Sequence, residues 1–223
     1  VAISASIDVD KDTHIEFVTY GERGDFMGNL FTLLTGKGTR LTRPLLLLGN
    51  VFRHPVRFLK TLWPFGWAKR TLILLVMQTL DNAIAFRTQR RWLGLGTRLK
   101  TEQDPEKPNP TYIDAGNRAA AWLAEQTGGV PQSVILEATA NIPMTAHILG
   151  GAVVGHDAGD GVVDEGHRAF GYKNLMICDG SAVPANPGVN PSLTITAMAE
   201  RAMSLVVAKE PVKARQPTQG DLF

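Results

Sequence analysis

The sequence predicts a mixed fold of the α+β or α/β class, with an antiparallel sheet and helices first and a strand and long helix last. Residues 1–9 and 14–19 alternate apolar and polar positions, as strands with one buried face do. Residues 114–127 form an amphipathic helical pattern that stops at two glycines. From Pro191 a second helical pattern runs without Gly or Pro until Pro211. Strand and helix periods in one chain predict the mixed class.

Composition places the chain among ordinary soluble globular proteins. With 223 residues, 44% of them hydrophobic and 20% charged, it can bury a sizeable core. A formal net charge of +2 is too small to indicate a nucleic-acid partner. Cys178 is the one cysteine, which excludes an internal disulfide and a cysteine-based zinc site. We predict no metal site and no nucleic-acid binding.

The start of the chain lacks both an initiator methionine and the pattern of a secretory signal. We therefore expect a piece of a longer polypeptide. The compartment stays open between the cytoplasm, the periphery of a membrane and secretion, because we expect the true N-terminus to lie outside the sequence.

The first elements are predicted to be a β-hairpin of residues 1–9 and 14–19, joined by the turn-forming sequence DKDT, and then a helix over 26–35. Glu16 lies in the middle of the second strand, between Ile15 and Phe17. Its carboxylate points either to solvent or into a cavity roofed by the sheet. We favour solvent, since strand carboxylates usually face water.

Residues 41–69 form a helical excursion that combines apolar runs with basic and aromatic residues and contains no acidic residue. Such a segment can lie at a membrane surface or cover an apolar ligand. It can equally be a packed excursion whose basic side chains reach water. Three prolines and the spaced charges leave no apolar stretch of the roughly 20 residues that span a bilayer.

The middle of the chain is predicted to alternate strands, loops and one helix. Residues 71–79 read as a buried strand, and residues 83–91 as a strand or a short helix. The proline-rich residues 100–110 read as a surface loop. The helix over 114–127 would be capped by its Asp and packed through Trp122 and Leu123, and a short strand would follow at 134–138.

His147 stands among apolar residues just before Gly150 and Gly151. A histidine in such company is more often a core residue than a catalytic one. The other four histidines lie beside loop or charged residues, and we expect them at the surface: His14, His54, His156 and His167.

The last third is predicted to contain a hairpin of residues 161–164 and 169–170, a strand over 174–178, and a turn at Asp179 and Gly180. Ligands favour the carboxyl ends of strands in α/β sheets. Asn190 is a good N-cap, Pro191 suits the first helical position, and Ser192 is tolerated there. A helix start of this kind attracts an anion or an electron-rich ring. Residues 211–223 read as a flexible tail.

This ordered set of motifs resembles the C-terminal part of the glucose-methanol-choline (GMC) flavoprotein oxidoreductases, most closely the branch of the cholesterol oxidases. The matching pieces run from His147 through the Gly-Gly pair, a G-V-V-D hairpin, a Y-x-N-L strand, D-G-S at Asp179, and N-P-S-L-T-I from Asn190. They cover roughly 60 residues and are specific as an ordered set. Residues 1–140 resemble the substrate domain of that branch more loosely.

The resemblance implies a two-domain GMC fold, of which residues 1–140 are the C-terminal part of the substrate-binding domain. Residues 141–210 would be the catalytic, FAD-contacting segment, with the closing strand and helix of the FAD domain. It also implies FAD held without a covalent bond, contacted by Asp179, Gly180 and the helix start at Asn190, Pro191 and Ser192.

The implied reaction is oxidation of a sterol or another large apolar alcohol by hydride transfer to flavin N5. His147 would orient the hydroxyl and manage its proton, and Asn190 would hydrogen-bond near the reaction centre. Glu16 is the candidate to carry the proton of a coupled double-bond isomerisation. Oxygen or a separate acceptor would reoxidise the flavin.

One family motif has no match in the chain, the G-x-G-x-x-G unit that binds the ADP part of FAD. We expect it in the remainder of the same polypeptide, so the isolated chain should be inactive. The alternative function is a non-catalytic lipid- or membrane-binding module built on residues 41–69. A serine hydrolase is disfavoured, because the sequence has no G-x-S-x-G elbow.

Overall fold

The computed structural model describes residues 2–91, 94 and 96–207, which divide into two compact units. Unit 1 comprises residues 2–146 with residues 186–189, and unit 2 comprises residues 147–185 with residues 190–207. The predicted tail at 211–223 lies outside the described residues. No helix in the described part of the chain is long and apolar enough to cross a membrane.

Within these residues the chain forms strands β1 (Ala2–Asp10), β2 (Thr13–Thr19), β3 (Phe31–Leu33), β4 (Ile73–Gln78), β5 (Ile84–Arg90), β6 (Thr97–Gln103) and β7 (Gln132–Val134). The α-helices are α1 (Thr42–Arg53), α2 (Pro55–Thr61), α3 (Trp67–Arg70), α4 (Asp114–Thr127), α5 (Ile135–Ala140) and α6 (Ser192–Ser204). The mixture of antiparallel sheets and helices confirms the predicted fold class.

The main sheet of unit 1 has the order β1-β2-β4, and both pairings are antiparallel. It confirms the predicted hairpin and the strand expected over 71–79. The central strand β2 supplies the buried Ile15 and Val18, and β4 supplies Met77. Strand β1 lies at the edge of this sheet, and it is exposed along its whole length.

A second, two-stranded sheet pairs β3 with β7, and it corrects two predictions. The helix expected over 26–35 is only a 3₁₀-helix, Asp25–Leu30, followed by strand β3. The strand expected over 134–138 ends at Val134, and helix α5 takes its place. Both stretches are short, and tertiary pairing overrides a weak local pattern at this length.

Strand β5 pairs with β6 in an exposed hairpin. Of the two structures open for residues 83–91, the strand is the one that forms. The loop expected over 100–110 begins only after Gln103, because polar residues 97–103 continue the ladder with β5. A strand exposed on both faces has no apolar alternation, so the usual strand signal was absent.

The excursion over residues 41–69 breaks into three helices, with Pro55 opening α2 and Pro64 preceding α3. Arg43 fixes α1 to unit 1, since its side chain is fully buried. The Arg43 guanidinium donates to the Glu137 carboxylate at 2.8 Å, to Asn141 Oδ1 at 3.1 Å and to the backbone carbonyls of Thr111 and Gly36. A buried charge with this many acceptors holds α1 against α5.

Helix α4 has the predicted bounds, and Gly128 ends it with a φ of +64°. The predicted Asp cap is wrong, because Ile113 holds the N-cap position and Asp114 is already helical. The prediction that Trp122 lies on the packed side of α4 is also wrong, because this residue is 61% exposed. Alanines on three successive positions gave no sequence signal for the packed side.

Unit 2 is built mostly from turns and isolated bridges ahead of α6. Val163 bridges Val154 and Ala169, and Arg168 bridges Met176. The predicted hairpin is therefore present only as bridges, and the strand expected over 174–178 does not form as a regular strand. Gly155 and Gly161 pack backbone against backbone, where a Cβ on Gly155 would come within 2.5 Å of Gly161 N. This close approach holds the turns together without a ladder.

Candidate functional site

Three predicted segments of unit 2 meet around the backbone of Gly180. A Cβ on this residue would lie 2.9 Å from the carbonyl oxygen of Ile148 and 3.1 Å from Ile195 Cδ1. Ile148 follows His147, and Ile195 belongs to the first turns of α6. Only a glycine lets the His147 segment and α6 approach the Asp179–Gly180 turn so closely.

The His147 segment runs alongside this turn. The N–H of Ala152 donates to the Ser181 carbonyl at 2.8 Å. Gly150, with a φ of +79°, lies against the carbonyl oxygen of Val183. His147 itself is half-buried at the first position of unit 2. The segment is therefore fixed by backbone contacts, and the imidazole keeps part of its surface accessible.

The turn at Asp179 is built by its own carboxylate. Asp179 Oδ1 accepts hydrogen bonds from the Ser181 hydroxyl and, at 2.9 Å, from the Ser181 N–H. These bonds, the hydroxyl first, lower the pKa of Asp179 below its usual 3.8. The carboxylate is thus ionised at neutral pH, and it shapes the 3₁₀-turn Gly180–Ala182.

The start of α6 differs from the prediction in one respect. The helix begins at Ser192, with Pro191 at the N-cap position, one residue later than expected. Asn190 Oδ1 accepts from the Ser192 N–H at 3.1 Å and from its hydroxyl at 2.7 Å. Asn190 therefore caps its own helix.

This cap has a chemical consequence for Asn190. Because Oδ1 is occupied by two donors, the opposite edge of the amide presents the Nδ2 hydrogens. Among the described residues, no acceptor lies on the N–H of Leu193 or of Thr194. The start of this 13-residue helix thus offers donors and a partial positive charge, a combination that suits an electron-rich ring or an anion.

Two of the four histidines expected at the surface are not there. His167 is 2% exposed, with a φ of +63°, and its Nδ1 lies 2.9 Å from the carbonyl oxygen of Ile177. His14 is also largely covered. His54 and His156 are exposed, as predicted. The prediction relied on the neighbouring loop residues. His167 instead lies in a tight turn, and its imidazole contacts the backbone of Ile177.

Glu16 of unit 1 is buried, at 6% exposure, so our preference for solvent is wrong. Its Oε2 has no hydrogen-bond partner among the described residues. Its Oε1 lies 3.6 Å from His14 Nε2, and His14 Nδ1 lies 2.6 Å from the Asp8 carboxylate on β1. The chain of contacts runs from a buried carboxylate to the exposed Asp8.

The Asp8–His14 contact was missed by the sequence reasoning, although a signal existed. Residues 14 and 16 share one face of a strand, because side chains alternate. The register then places Asp8 opposite His14. A buried carboxylate with one unbonded oxygen can accept or release a proton.

Unit 1 also contains a cavity of about 840 Å³. Apolar and aromatic side chains dominate its lining, among them Phe31, Leu74, Trp67, Ile113, Leu123 and Trp63. Its volume falls within the range of roughly 300–1,000 Å³ typical of small-molecule sites. The described part of the chain holds no cluster of side chains that could bind a metal ion.

Comparison with known proteins identifies relatives of the chain. The sequence profile of the GMC oxidoreductase family matches residues 94–199. The chain is 44% identical over 227 residues to a cholesterol oxidase of Mycobacterium tuberculosis, covering 100% of the chain and 39% of that protein. It is 42% identical over 220 residues to a cholesterol oxidase of Acinetobacter baumannii, covering 98% of the chain and 39% of that protein.

A shorter match links the chain to the fructose dehydrogenase large subunit of Gluconobacter japonicus, 33% identical over 85 residues, covering 38% of the chain and 15% of that subunit. The chain thus spans about two fifths of the length of the cholesterol oxidases that it resembles. GMC oxidoreductases and cholesterol oxidases are FAD flavoproteins. On the family profile and these relatives, the chain belongs to the GMC oxidoreductase family.

Proposed function

We propose that the full-length protein containing this chain oxidises an alcohol with FAD, and that the alcohol is a 3β-hydroxysteroid or a similarly large apolar molecule. The observation that carries the proposal is the meeting of the His147 segment and α6 around Gly180. The names of the relatives and the apolar cavity of unit 1 support the substrate class.

We propose Asp179, Gly180, Asn190, Pro191 and Ser192 as the residues that contact FAD. The donor chemistry fits this cofactor, because the start of α6 offers backbone N–H groups and the positive end of a helix dipole. When bound, FAD supplies the acceptor for the hydride that leaves the alcohol carbon. The positive end of α6 favours the extra negative charge that arrives with that hydride.

His147 and Asn190 act on the substrate oxygen in this proposal. Oxidation of the alcohol removes a hydride from carbon and a proton from the hydroxyl, and leaves a carbonyl. His147 takes up the hydroxyl proton as general base. Asn190 donates from Nδ2 to the same oxygen, an orientation that its cap on Ser192 favours. The two side chains thereby hold the oxygen from its two sides.

Residues 1–140 are proposed as part of the substrate-binding domain, and residues 141–210 as the catalytic segment. Within the first, Glu16 is the candidate base for a coupled double-bond isomerisation. Its burial and its unbonded Oε2 support this role, because an oxygen without a hydrogen-bond partner is available to contact the substrate. The remainder of the polypeptide would supply the G-x-G-x-x-G unit, and oxygen or a separate acceptor would reoxidise the flavin.

The test is the rate of flavin reduction by substrate in the full-length, FAD-loaded protein without oxygen. His147→Ala and Asn190→Ala should each slow bleaching of the flavin absorbance by about 10²–10⁴-fold. Flavin content should stay unchanged, and the exposed His156→Ala serves as a control with the wild-type rate. Unchanged rates in the first two variants contradict the roles.

Substrate and acceptor are tested with the same protein. A 3β-hydroxysteroid should reduce the flavin faster than a short-chain alcohol, since only the former fills a large apolar site. Equal rates for both alcohols contradict the sterol assignment. Admitting oxygen or an artificial electron acceptor to the reduced protein distinguishes an oxidase from a dehydrogenase by the rate of reoxidation.

The alternative, a lipid- or membrane-binding module without catalysis, draws its support from the exposed apolar residues of α1 and α2. A lipid-binding module would give no function to the close contacts around Gly180. Flavin reduction by any alcohol in the wild-type protein contradicts it.

A further inference from the structure

The cavity of unit 1 is lined by three residues whose buried polar atoms have no partner in the protein. Trp67 Nε1, Asn117 Oδ1 and Ser133 Oγ are buried, and none of them has a hydrogen-bond partner in the part of the chain that the structure describes. All three residues line this one cavity. Unpaired buried polar atoms cost free energy and are rare in folded proteins, so each requires an explanation. Three of them around one cavity indicate a ligand that bonds them.

Trp67 is held firmly in the cavity wall. It is 3% exposed, and its ring stacks on Phe31 with the centroids 5.4 Å apart and the planes inclined by 30°. The Asp25 carboxylate fixes the main chain on both sides of it, because it accepts from the Gly66 N–H at 2.7 Å and from the Ala68 N–H at 2.9 Å. An indole fixed in this way presents its N–H in one direction, as a preorganised binding site requires.

Asn117 and Ser133 supply the complementary hydrogen-bonding chemistry. Asn117 Nδ2 donates to the Ile113 carbonyl within α4 at 3.1 Å, which leaves Oδ1 as an acceptor. The Ser133 hydroxyl, in the middle of β7, can donate or accept. The indole of Trp67 can only donate. A hydroxyl group on a ligand matches this set, because it accepts from the indole and donates to the amide oxygen.

The rest of the lining indicates that the ligand is neutral and mostly apolar. Apolar and aromatic side chains dominate a volume of about 840 Å³. Three charged side chains also line it. Two of them are already bonded within the protein, since Glu137 accepts from Arg43 at 2.8 Å and Arg70 donates to the Trp63 carbonyl at 2.8 Å. The third, Lys60, is exposed to water. The cavity therefore has no buried charge that requires a charged ligand.

The cavity lies on the opposite face of the main sheet from Glu16. Leu74 and Val76 of β4 line the cavity. Glu16 pairs with Leu75, and paired residues share a face whereas neighbours along a strand alternate. Helix α4 packs on the cavity side, because a Cβ on Gly116 would lie 2.8 Å from Val76 Cγ2. The carboxylate proposed for the isomerisation therefore does not face this cavity.

We propose that the cavity is a second ligand site, which binds a neutral apolar molecule by its hydroxyl group and takes no part in the reaction. The ligand oxygen accepts from Trp67 Nε1–H, and its proton is donated to Asn117 Oδ1. The Ser133 hydroxyl bonds the remaining lone pair of the ligand oxygen. Binding at this site does not require the proposed activity. Its separation from the reaction rests on the proposed function, because that function assigns Glu16 to the reaction.

The experiment is equilibrium dialysis of the full-length, FAD-loaded protein at neutral pH against 1-hydroxypyrene and against pyrene. The two probes differ by one hydroxyl group. Hydride transfer cannot consume 1-hydroxypyrene, since the carbon that bears its hydroxyl carries no hydrogen. We expect the wild type to bind 1-hydroxypyrene more tightly than pyrene, by about 2–10-fold for each hydrogen bond.

Two variants test the polar contacts. Trp67→Phe keeps an aromatic ring against Phe31 and removes the indole N–H, and Asn117→Ala removes the acceptor. Each should weaken binding of 1-hydroxypyrene by about 2–10-fold and leave binding of pyrene unchanged. The matched control is Trp122→Phe, because Trp122 is 61% exposed on α4 and does not line the cavity. It should bind both probes like the wild type.

Three results would overturn the proposal. One is equal affinity of the wild type for both probes, and another is an equal loss for both probes in Trp67→Phe, which would mean a general disturbance of the cavity. The third is binding of neither probe, the result expected if the remainder of the polypeptide fills the cavity. In each case the hydroxyl-binding site is absent from the full-length protein.

A competition experiment distinguishes this site from the proposed reaction. At concentrations that fill the cavity in dialysis, 1-hydroxypyrene should leave the rate of flavin reduction by a 3β-hydroxysteroid unchanged. A competitive loss of rate that Trp67→Phe relieves would overturn the separation of the two sites. Probe binding without any flavin reduction keeps the second site and contradicts only the proposed function. Flavin reduction without probe binding removes only the second site.

Discussion

Replacement of Gly180 by alanine is the most direct test of the convergence described above. The added Cβ would lie 2.9 Å from the Ile148 carbonyl oxygen and 3.1 Å from Ile195 Cδ1, whereas ordinary contact begins at 3.4 Å. One of the two neighbours must therefore move by about half an ångström. Overpacking of this kind costs about 1–3 kcal/mol of the free energy of unfolding. Because the neighbours belong to the His147 segment and to α6, we also expect weaker FAD binding.

The assay is denaturant unfolding of the full-length protein, with a parallel titration of FAD into the apoprotein. Gly151→Ala is a matched control on the same segment, since its Cβ would meet only Ser181 Cβ, at an ordinary 3.5 Å. We expect this control to change the free energy of unfolding by less than about 0.5 kcal/mol. The reasoning is refuted if Gly180→Ala and Gly151→Ala have equal stability and equal FAD affinity.

Three further predictions follow from single side chains. Arg43→Leu should lower the free energy of unfolding by about 3–5 kcal/mol, because it leaves the acceptors of a buried guanidinium without a donor. The exposed Arg53→Leu is the control and should change this free energy by less than about 0.5 kcal/mol in the same denaturant titration. Ser181→Ala should raise the pKa of Asp179 towards 3.8, as carboxyl NMR would measure. The stability that the Ser181 hydroxyl adds should be fully present above pH 3.8 and should be lost as the pH falls through the lowered pKa of Asp179 in the wild type. Acid unfolding at the same pH in the wild type and in Ser181→Ala would contradict this. Glu16→Leu should raise the free energy of unfolding by about 1–3 kcal/mol, because it removes the buried Oε2 that has no hydrogen-bond partner. The same variant should abolish isomerisation. A loss of stability would contradict the first expectation.

Long and strongly patterned elements could be predicted from the sequence, and short ones could not. The β1–β2 hairpin and α4 carry their period over many residues, so local preference and tertiary packing agree. Strands β3 and β7 have three residues each, and they exist because they pair with each other across a long stretch of sequence. Such pairing is decided by the partner, which no local pattern reveals.

The candidate site was predictable as a set of segments and not as a set of hydrogen bonds. The motifs around His147 and Asn190 identified the segments, and Gly180 brings their backbones into contact. The direction of the Asn190 amide was not predictable, because the N–H and the hydroxyl of Ser192 compete for Oδ1 with any ligand. Burial of Glu16 was missed for a similar reason, since alternation along a strand fixes the face but not what covers it.

The two strongest departures from the rules of a soluble domain lie in unit 1, and they involve opposite chemistry. Glu16 is a carboxylate where an apolar residue would be more stable, and the outward side of α1 carries exposed leucine and phenylalanine side chains where charged residues would be more soluble. Departures of this kind reduce stability or solubility without a gain in folding, so they persist where a function requires them. For Glu16 the proposed requirement is a base for the coupled isomerisation, and the Glu16→Leu variant tests it by measuring stability and isomerisation in the same protein.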